Sequence, residues 1–356
     1  MTLSRESLRG YLLEEALAYL IRRSGYRLLV DEGQDPESLR NRGNGLVVLG
    51  RGSEHQADVL GELVWFPAFT YPLRLFVEAK FQKEPVGISN VRNAVGIIQD
   101  LNQNLKPMRQ TRILLQRYTY NYVIFSASGF SRSAVNMALA HGVSLVDLQD
   151  SGFDHLLTAV DQAALSLLQD FGRLEEGSPT SFGSRTINPL RRRLRQELGT
   201  WPEDVRRQVP TALPSLDHLG EILAQFVNRV KEIDEVFLGV VTGPFVLILK
   251  ADDPRAFLQY ARSNPSHRVS IHWRAGSETS LHCWVEPIAP DPHPYRLYFS
   301  LPRVLTEWIL EVKGTERHLR AFDVKTQYLS DITVYYRDRK DELFRLQYDP
   351  HVWSVR

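Results

Sequence analysis

The chain has 356 residues, more than one compact domain usually holds, so two domains with separate cores are expected. Its 43 lysines and arginines against 42 aspartates and glutamates leave a formal net charge of +1, which excludes the overall basic excess of many nucleic-acid binders. The single cysteine, Cys283, excludes an intramolecular disulfide and a cysteine-built zinc site, and with no bilayer-length apolar run or signal-peptide pattern the expectation is a cytoplasmic protein with no membrane partner.

From Ser4 to Ser24, Leu13, Leu17, Leu20 and Ile21 recur at helical spacing, and Gly25 offers the left-handed residue that ends a helix. Tyr26 to Val30, Leu46 to Leu49 and Ala57 to Trp65 read as strands. Pro67 and Pro72 bracket a connection, after which Leu73 to Lys80 alternates with a period of two and puts Glu78 and Lys80 on one face of a strand. After Pro85, the positions Ile88, Val91, Val95, Ile98, Leu101 and Leu105 predict a long helix up to Pro107. Tyr122 to Ala127 is a buried-type strand, Ser131 to His141 a helix ending on a cation that suits its dipole, and Val143 to Asp147 a further strand. Strands separated by helices predict an α/β mixed sheet flanked by helices.

A helix over Phe153 to Leu168 precedes a Gly- and Ser-rich shift, so the first domain is expected over 1–170 and a linker over 171–189. A helical segment, 190–235, opens with Arg191, Arg192, Arg193 and Arg195, which either anchor DNA or form a solvated face paired with Glu197, Glu203 and Asp204. Strand signals dominate 236–356, predicting a β-rich (α+β) C-terminal domain. Its Trp273, Trp284 and Trp308 are expected in the core rather than on a base-stacking platform.

Hydrolysing a phosphodiester requires a nucleophilic water and a counter-charge for the transition state, and Mg²⁺ on two carboxylates and a carbonyl supplies that charge. Paired strands joined through the Pro67 to Pro72 connection would bring Asp58 to Glu78, with the Ala79 carbonyl beside them and Lys80 at the nucleophilic water. Ala57-Asp58-Val59-Leu60-Gly61 followed by Phe76-Val77-Glu78-Ala79-Lys80 resembles the PD-(D/E)XK nuclease superfamily, and within it the Mrr-type restriction endonucleases and archaeal Holliday-junction resolvases. Leu13-Glu14-Glu15, then Gly25-Tyr26, is similar to the group's first helix and favours Glu14 over Glu15 as its supporting acid. The segment from Tyr122 to Asp147 resembles the close of the same core, so the likeness covers about residues 5–150. Mrr-like members often carry Gln where this chain has Glu78, the form seen in the wider superfamily.

The resemblance implies a restriction-endonuclease-like fold and a Mg²⁺-dependent DNA endonuclease, Mn²⁺ substituting, in prokaryotic restriction or anti-phage defence. Its catalytic residues would be Asp58, Glu78, Lys80 and Glu14, with Asp58, Glu78 and Ala79 as metal ligands. Homodimerisation is a family-level expectation. The alternatives are a non-catalytic DNA-binding or docking subunit of the same fold, or a repair or junction-resolving nuclease. The C-terminal domain would then meet a target sequence, a partner protein or a regulatory ligand. Arg92 and Gln99 share a helix stripe with Gly96 and either reach nucleic acid or form a polar edge with Gly96 packed on a strand. His55, three residues before Asp58, either touches substrate or, as an isolated histidine in a polar turn, faces solvent, the latter being favoured. Lys106, Arg109, Arg112, Arg117 and Arg132, with no acid among them, face either phosphates or solvent.

Overall fold

A computed structural model describes residues 4–351, apart from 43–44, 65–69, 108–113, 116, 150–152, 176–183, 203–204, 206–218, 233–235, 243–244, 276–280, 289–293 and 339. Helix α1 (Arg5–Arg23) starts at Ser4, whose hydroxyl accepts the Ser7 N–H while Ser7 accepts the Ser4 N–H, a reciprocal cap. Leu8, Leu12, Leu13, Leu17, Leu20 and Ile21 are all buried along it. It ends at Ser24 and Gly25, where a φ of 85° suits glycine.

The strands that follow are β1 (Tyr26–Leu28), β2 (Leu39–Arg42), β3 (Gly45–Leu49), β4 (Glu54–Gln56), β5 (Val59–Leu63) and β6 (Leu73–Lys80). Then come α2 (Ile88–Asn102), the short pair β7 (Lys106–Pro107) and β8 (Leu114–Leu115), β9 (Thr119–Ser126), α3 (Arg132–His141) and β10 (Ser144–Asp147). The main sheet runs β1-β5-β6-β9-β10; β1, β5 and β6 pair antiparallel, whereas β6, β9 and β10 pair parallel. β2-β3-β4 form a separate small sheet. The parallel pairs are linked through α2 and α3, the crossover helices that parallel strands need.

Alternation on β6 decides the layers. Leu75 and Val77 join α1 and α4 (Asp154–Glu175) in one core, and Phe76 joins Val91 and Ala94 of α2 and Ala134 of α3 in another. Two further helices, α5 (Ser184–Leu198) and α6 (Gly220–Lys231), pack with α1 and α4 in the first core through Leu190, Leu194, Leu223 and Phe226. The helix expected to stop at Leu168 therefore runs on to Glu175, and its successor begins at Ser184. The segment 171–189, read as a linker from its glycines and serines, is helical at both ends, with 176–183 outside the described residues.

Beyond it, β11 (Val236–Val240), β12 (Val246–Ala251), β13 (Ser266–Ala275), β14 (Leu281–Pro287), β15 (Leu297–Phe299), β16 (Asp331–Arg337) and β17 (Asp341–Tyr348) close into a barrel in the order β11-β12-β15-β14-β13-β17-β16. All its pairs are antiparallel except β13 with β17. Alternate residues such as Leu249, Ile271, Val285 and Leu297 fill the interior, while Val236, Leu238 and Ile248 turn outward and join the core around α1 and α4. The chain is thus mixed α/β, with a closed barrel in its β-rich part. Among the described residues three helices interrupt that part, α7 (Pro254–Ser263), α8 (Arg303–Leu310) and α9 (Gly314–Gln327). Among the described residues no helix is long and apolar enough to cross a membrane.

Candidate active site

The β5–β6 register pairs Val59 with Val77, so Asp58, just before β5, falls opposite Glu78. Two bonds hold it there: the Asp58 N–H donates to the Val77 carbonyl (3.1 Å), and Oδ2 accepts the Ala79 N–H (2.7 Å). Because the N–H and C=O of one strand residue share an edge, the Ala79 carbonyl projects on the Asp58 side of β6. Glu78 is held at both oxygens. Tyr122, on neighbouring β9, donates its hydroxyl to Oε2 (2.6 Å), and Lys80 Nζ pairs with Oε1. Burial and then the Glu78 charge push the Tyr122 phenol well above its ordinary range, so it stays protonated and donating.

Burial also raises the Asp58 carboxyl, as does the Glu78 charge, while the Ala79 N–H opposes the rise. Two half-buried carboxylates facing each other create a local need for positive charge. With the Ala79 carbonyl they form a hard-oxygen set of the kind Mg²⁺ accepts, keeping water in its remaining positions. Among the described residues no group of three or more His, Cys, Asp or Glu side chains is placed to hold a metal, so an ion here would depend on that carbonyl and on water.

Asp58 has a second neighbourhood. On α1, Glu15 is buried and accepts from Arg191 Nε (2.7 Å) and Arg195 Nε (2.8 Å), and Glu14 pairs with Arg191 Nη2 (2.7 Å). Burial works to raise the Glu15 carboxyl, but Arg195 and Arg191 outweigh it and leave it below the ordinary range. Glu14 is pushed up to about 8 by burial, helped by the Asp58 and Glu15 charges and opposed by Arg191. Arginines 191 and 195 therefore form neither a DNA-anchoring run nor a solvated face. They turn inward because α5 lies along α1 and meets two buried acids, whereas Arg193 pairs with Glu197 one turn on. Glu14, Glu15, Asp58, Arg191 and Arg192 line a cavity of about 420 Å³ that Glu78 and Lys80 do not reach. Asp58 alone belongs to both neighbourhoods.

The structure therefore brings Asp58, Glu78, Ala79 and Lys80 together, with Glu14 near enough to Asp58 for their charges to interact. Arg92 and Gln99 are exposed on α2. Gly96 between them is not a packing glycine, since a Cβ there would meet nothing within 4 Å. His55 is drawn out of solvent by Asp100 of α2 (Nε2 to Oδ2, 2.8 Å), which also accepts the Gly52 and Ser53 N–H groups. Of the basic stretch, Arg117 pairs with Glu37 and Asp35, Arg132 is exposed, and Arg109 and Arg112 lie outside the described residues. Trp284 lies on the outer face of the barrel and Trp308 is 37% exposed, so neither is a core residue; only Trp273 packs against the interior.

Tyr122 is expected only as the start of a strand, and Arg191 only as part of a run that anchors DNA or faces solvent. Tyr122 carries a usable signal, since it shares the period-two face of β9 that meets the Glu78 face of β6. Arg191 carries none that a local reading finds, because its partners lie 176 and 177 positions earlier in the chain. No protein-family model matches the chain, and no curated protein matches it. Among solved structures the chain is similar to the crystal structure of a protein of unknown function, AF1548, at 15% identity and a TM-score of 0.32, over 62% of this chain and 98% of that one.

Proposed function

We propose that this protein is a metal-dependent DNA endonuclease with a PD-(D/E)XK core, working in the cytoplasm in prokaryotic restriction or anti-phage defence. The observation that carries the reading is Asp58 facing Glu78 across paired strands, with Lys80 two residues further along the same face. The Ala79 N–H orients Asp58, and the Tyr122 hydroxyl and Lys80 ammonium orient Glu78. A Mg²⁺ ion held by Asp58, Glu78 and the Ala79 carbonyl would supply Lewis-acid charge for phosphodiester hydrolysis. Lys80, the one cation of the trio, would hold the attacking water and stabilise its loss of a proton. Glu14 is a supporting acid in contact with Arg191.

The experiment is cleavage of supercoiled plasmid and of modified phage DNA with Mg²⁺ or Mn²⁺, beside EDTA, Asp58→Ala and Lys80→Ala. Losing one such transition-state group costs on the order of 10²–10³-fold in rate. Cation-dependent nicking abolished in both variants is the expected result. Equal nicking by wild type and Asp58→Ala would sink the assignment. The second reading, a docking or DNA-binding subunit of the same fold, is favoured by one observation, the closing of Glu14 by Arg191. It predicts no cleavage on any substrate and no divalent-cation binding by calorimetry.

A further inference from the structure

The outer face of the barrel carries a row of rings that neither its core nor the Asp58 site uses. Register places His272 of β13 opposite Trp284 of β14, Trp284 opposite Tyr298 of β15, and Tyr298 opposite Lys250 of β12. These four strands are consecutive around the barrel, and at roughly 4.8 Å per strand the row spans about 14 Å. His272 and Trp284 stack with centroids 5.2 Å apart and planes 13° from parallel. Tyr298, at the other end, is 41% exposed, far more than a structural tyrosine with buried neighbours needs.

Charge frames the row on both sides. Exposed Arg274 and His282 pair across β13 and β14 on one side, and exposed Arg296 stands on the other, with Lys250 at the end. Glu286 is turned to Arg296 (3.0 Å) and His272 (3.1 Å), and its carboxyl is only 8% exposed, so it offers little negative charge to solvent. Asp252, at the corner, accepts the Asp253 and Arg296 N–H groups. The barrel meets the α1–α4 core through Leu238 of β11 and Ile248 of β12, the latter two residues from Lys250, and none of the described residues of β13, β14 or β15 belongs to that core.

We propose that this face binds an unpaired nucleic-acid strand, its bases against the His272–Trp284–Tyr298 row and its phosphates against Arg274, Lys250 and Arg296. Rings attract any base because every base has a π face, and flanking cations track the backbone. A duplex is disfavoured, since its bases already stack on one another. The site is separate from the Asp58 centre and stands whether or not that centre cuts.

The test uses the full chain in EDTA, so that cleavage cannot intervene, with fluorescence anisotropy of labelled 12-mers: oligothymidylate, oligouridylate and a blunt duplex. Both single strands are expected to bind wild type and Asp58→Ala alike and more tightly than the duplex, and a preference between them identifies DNA or RNA as the source. Tyr298→Ala should weaken binding about tenfold, from the loss of one stacked base, and Tyr298→Phe should restore it. Arg274→Glu with Lys250→Glu should lower the slope of log K against log salt by about 1.4 for two lost phosphate contacts. No binding, or duplex binding as tight and indifferent to Tyr298→Ala, overturns the proposal. A failed cleavage assay with Tyr298-dependent binding intact would count against the nuclease reading alone.

Discussion

Replacing Glu14 by Gln tests whether that acid is held neutral beside Asp58. Its carboxyl is raised from 4.5 to about 8, first by burial and then by its acidic neighbours, with Arg191 opposing. Between these values the unfolded chain carries an ionised Glu14 while the native one keeps its proton. The native state therefore binds more protons, and stability must fall as pH rises from 4.5 to about 8. At about 1.4 kcal/mol per unit, the ceiling is about 5 kcal/mol. Gln keeps the shape and the acceptor that Arg191 uses but cannot ionise, so this slope disappears. Urea denaturation of both proteins at pH 5, 6.5 and 8 is the assay. Wild type should lose ground to Glu14→Gln with each step, the variant being more stable by several kcal/mol at pH 8. Parallel curves would mean that Glu14 is already charged and that Arg191, rather than a proton, neutralises it.

Arg74 is fully buried between Asp35 (2.8 Å) and Glu62 (2.9 Å), with its guanidinium 3.3 Å from the Tyr118 ring centroid. Arg74→Met leaves Asp35 to Arg117 at 3.4 Å and Glu62 to Arg27 at 2.8 Å, and should cost about 3 kcal/mol in urea denaturation; a loss below about 1 kcal/mol would show the cluster to be hydrated. Lys325 is buried beside Cys283, and its ammonium is lowered from 10.5 to about 8 by burial. Across that window the unfolded chain holds a proton the native chain has shed, so wild-type stability should rise with pH. Lys325→Met should flatten the rise and gain up to about 3 kcal/mol at pH 7; identical pH profiles would count against this. A Cβ on Gly239 would lie 2.8 Å from Leu249 Cδ1 and 3.0 Å from Ile332 Cγ2, so Gly239→Ala should cost about 1–3 kcal/mol by crowding β11 against both neighbours. An unchanged denaturation midpoint would show that the barrel can breathe there.

What local pattern controls was legible in the sequence. Leu73 to Lys80 is the strand its alternation predicts, at the same bounds, because a strand buried on both faces still displays period two in its Arg74, Glu78 and Lys80 positions. The approach of Asp58 to Glu78 followed from two strands and a short connection. The helices of the barrel part were missed although α7 has a readable start, Asp253 capping the Arg255 and Ala256 N–H groups with Pro254 at the first helical position. Flanking strand signals hid it. The inward turn of Arg191 was not legible at all, since a run of arginines looks solvated until a helix far upstream presents it with buried acids. Trp284 was misplaced for a related reason: alternation puts His282, Trp284 and Glu286 on one face, but only closure of the barrel decides that this face is the outside.

Asp58 thus stands between two systems of charge that settle their balance differently. On the Glu78 side, one lysine and one phenol answer one carboxylate, and a divalent cation would add charge where both acids are short of it. On the Glu14 side, Arg191 and Arg195 already hold the Glu15 carboxylate while Glu14 keeps its proton beside Arg191, so a second cation there would have to displace Arg191 or claim that proton. Burying an ion pair is costly unless every charge is matched, which makes the second arrangement hard to open piecemeal. The same α5 that brings Arg191 to Glu14 also buries Leu190, Leu194 and Leu198 in the core of α1 and α4. Releasing Arg191 would therefore disturb packing as well as charge, and the balance at Asp58 depends on a helix that follows the β1–β10 sheet in the chain.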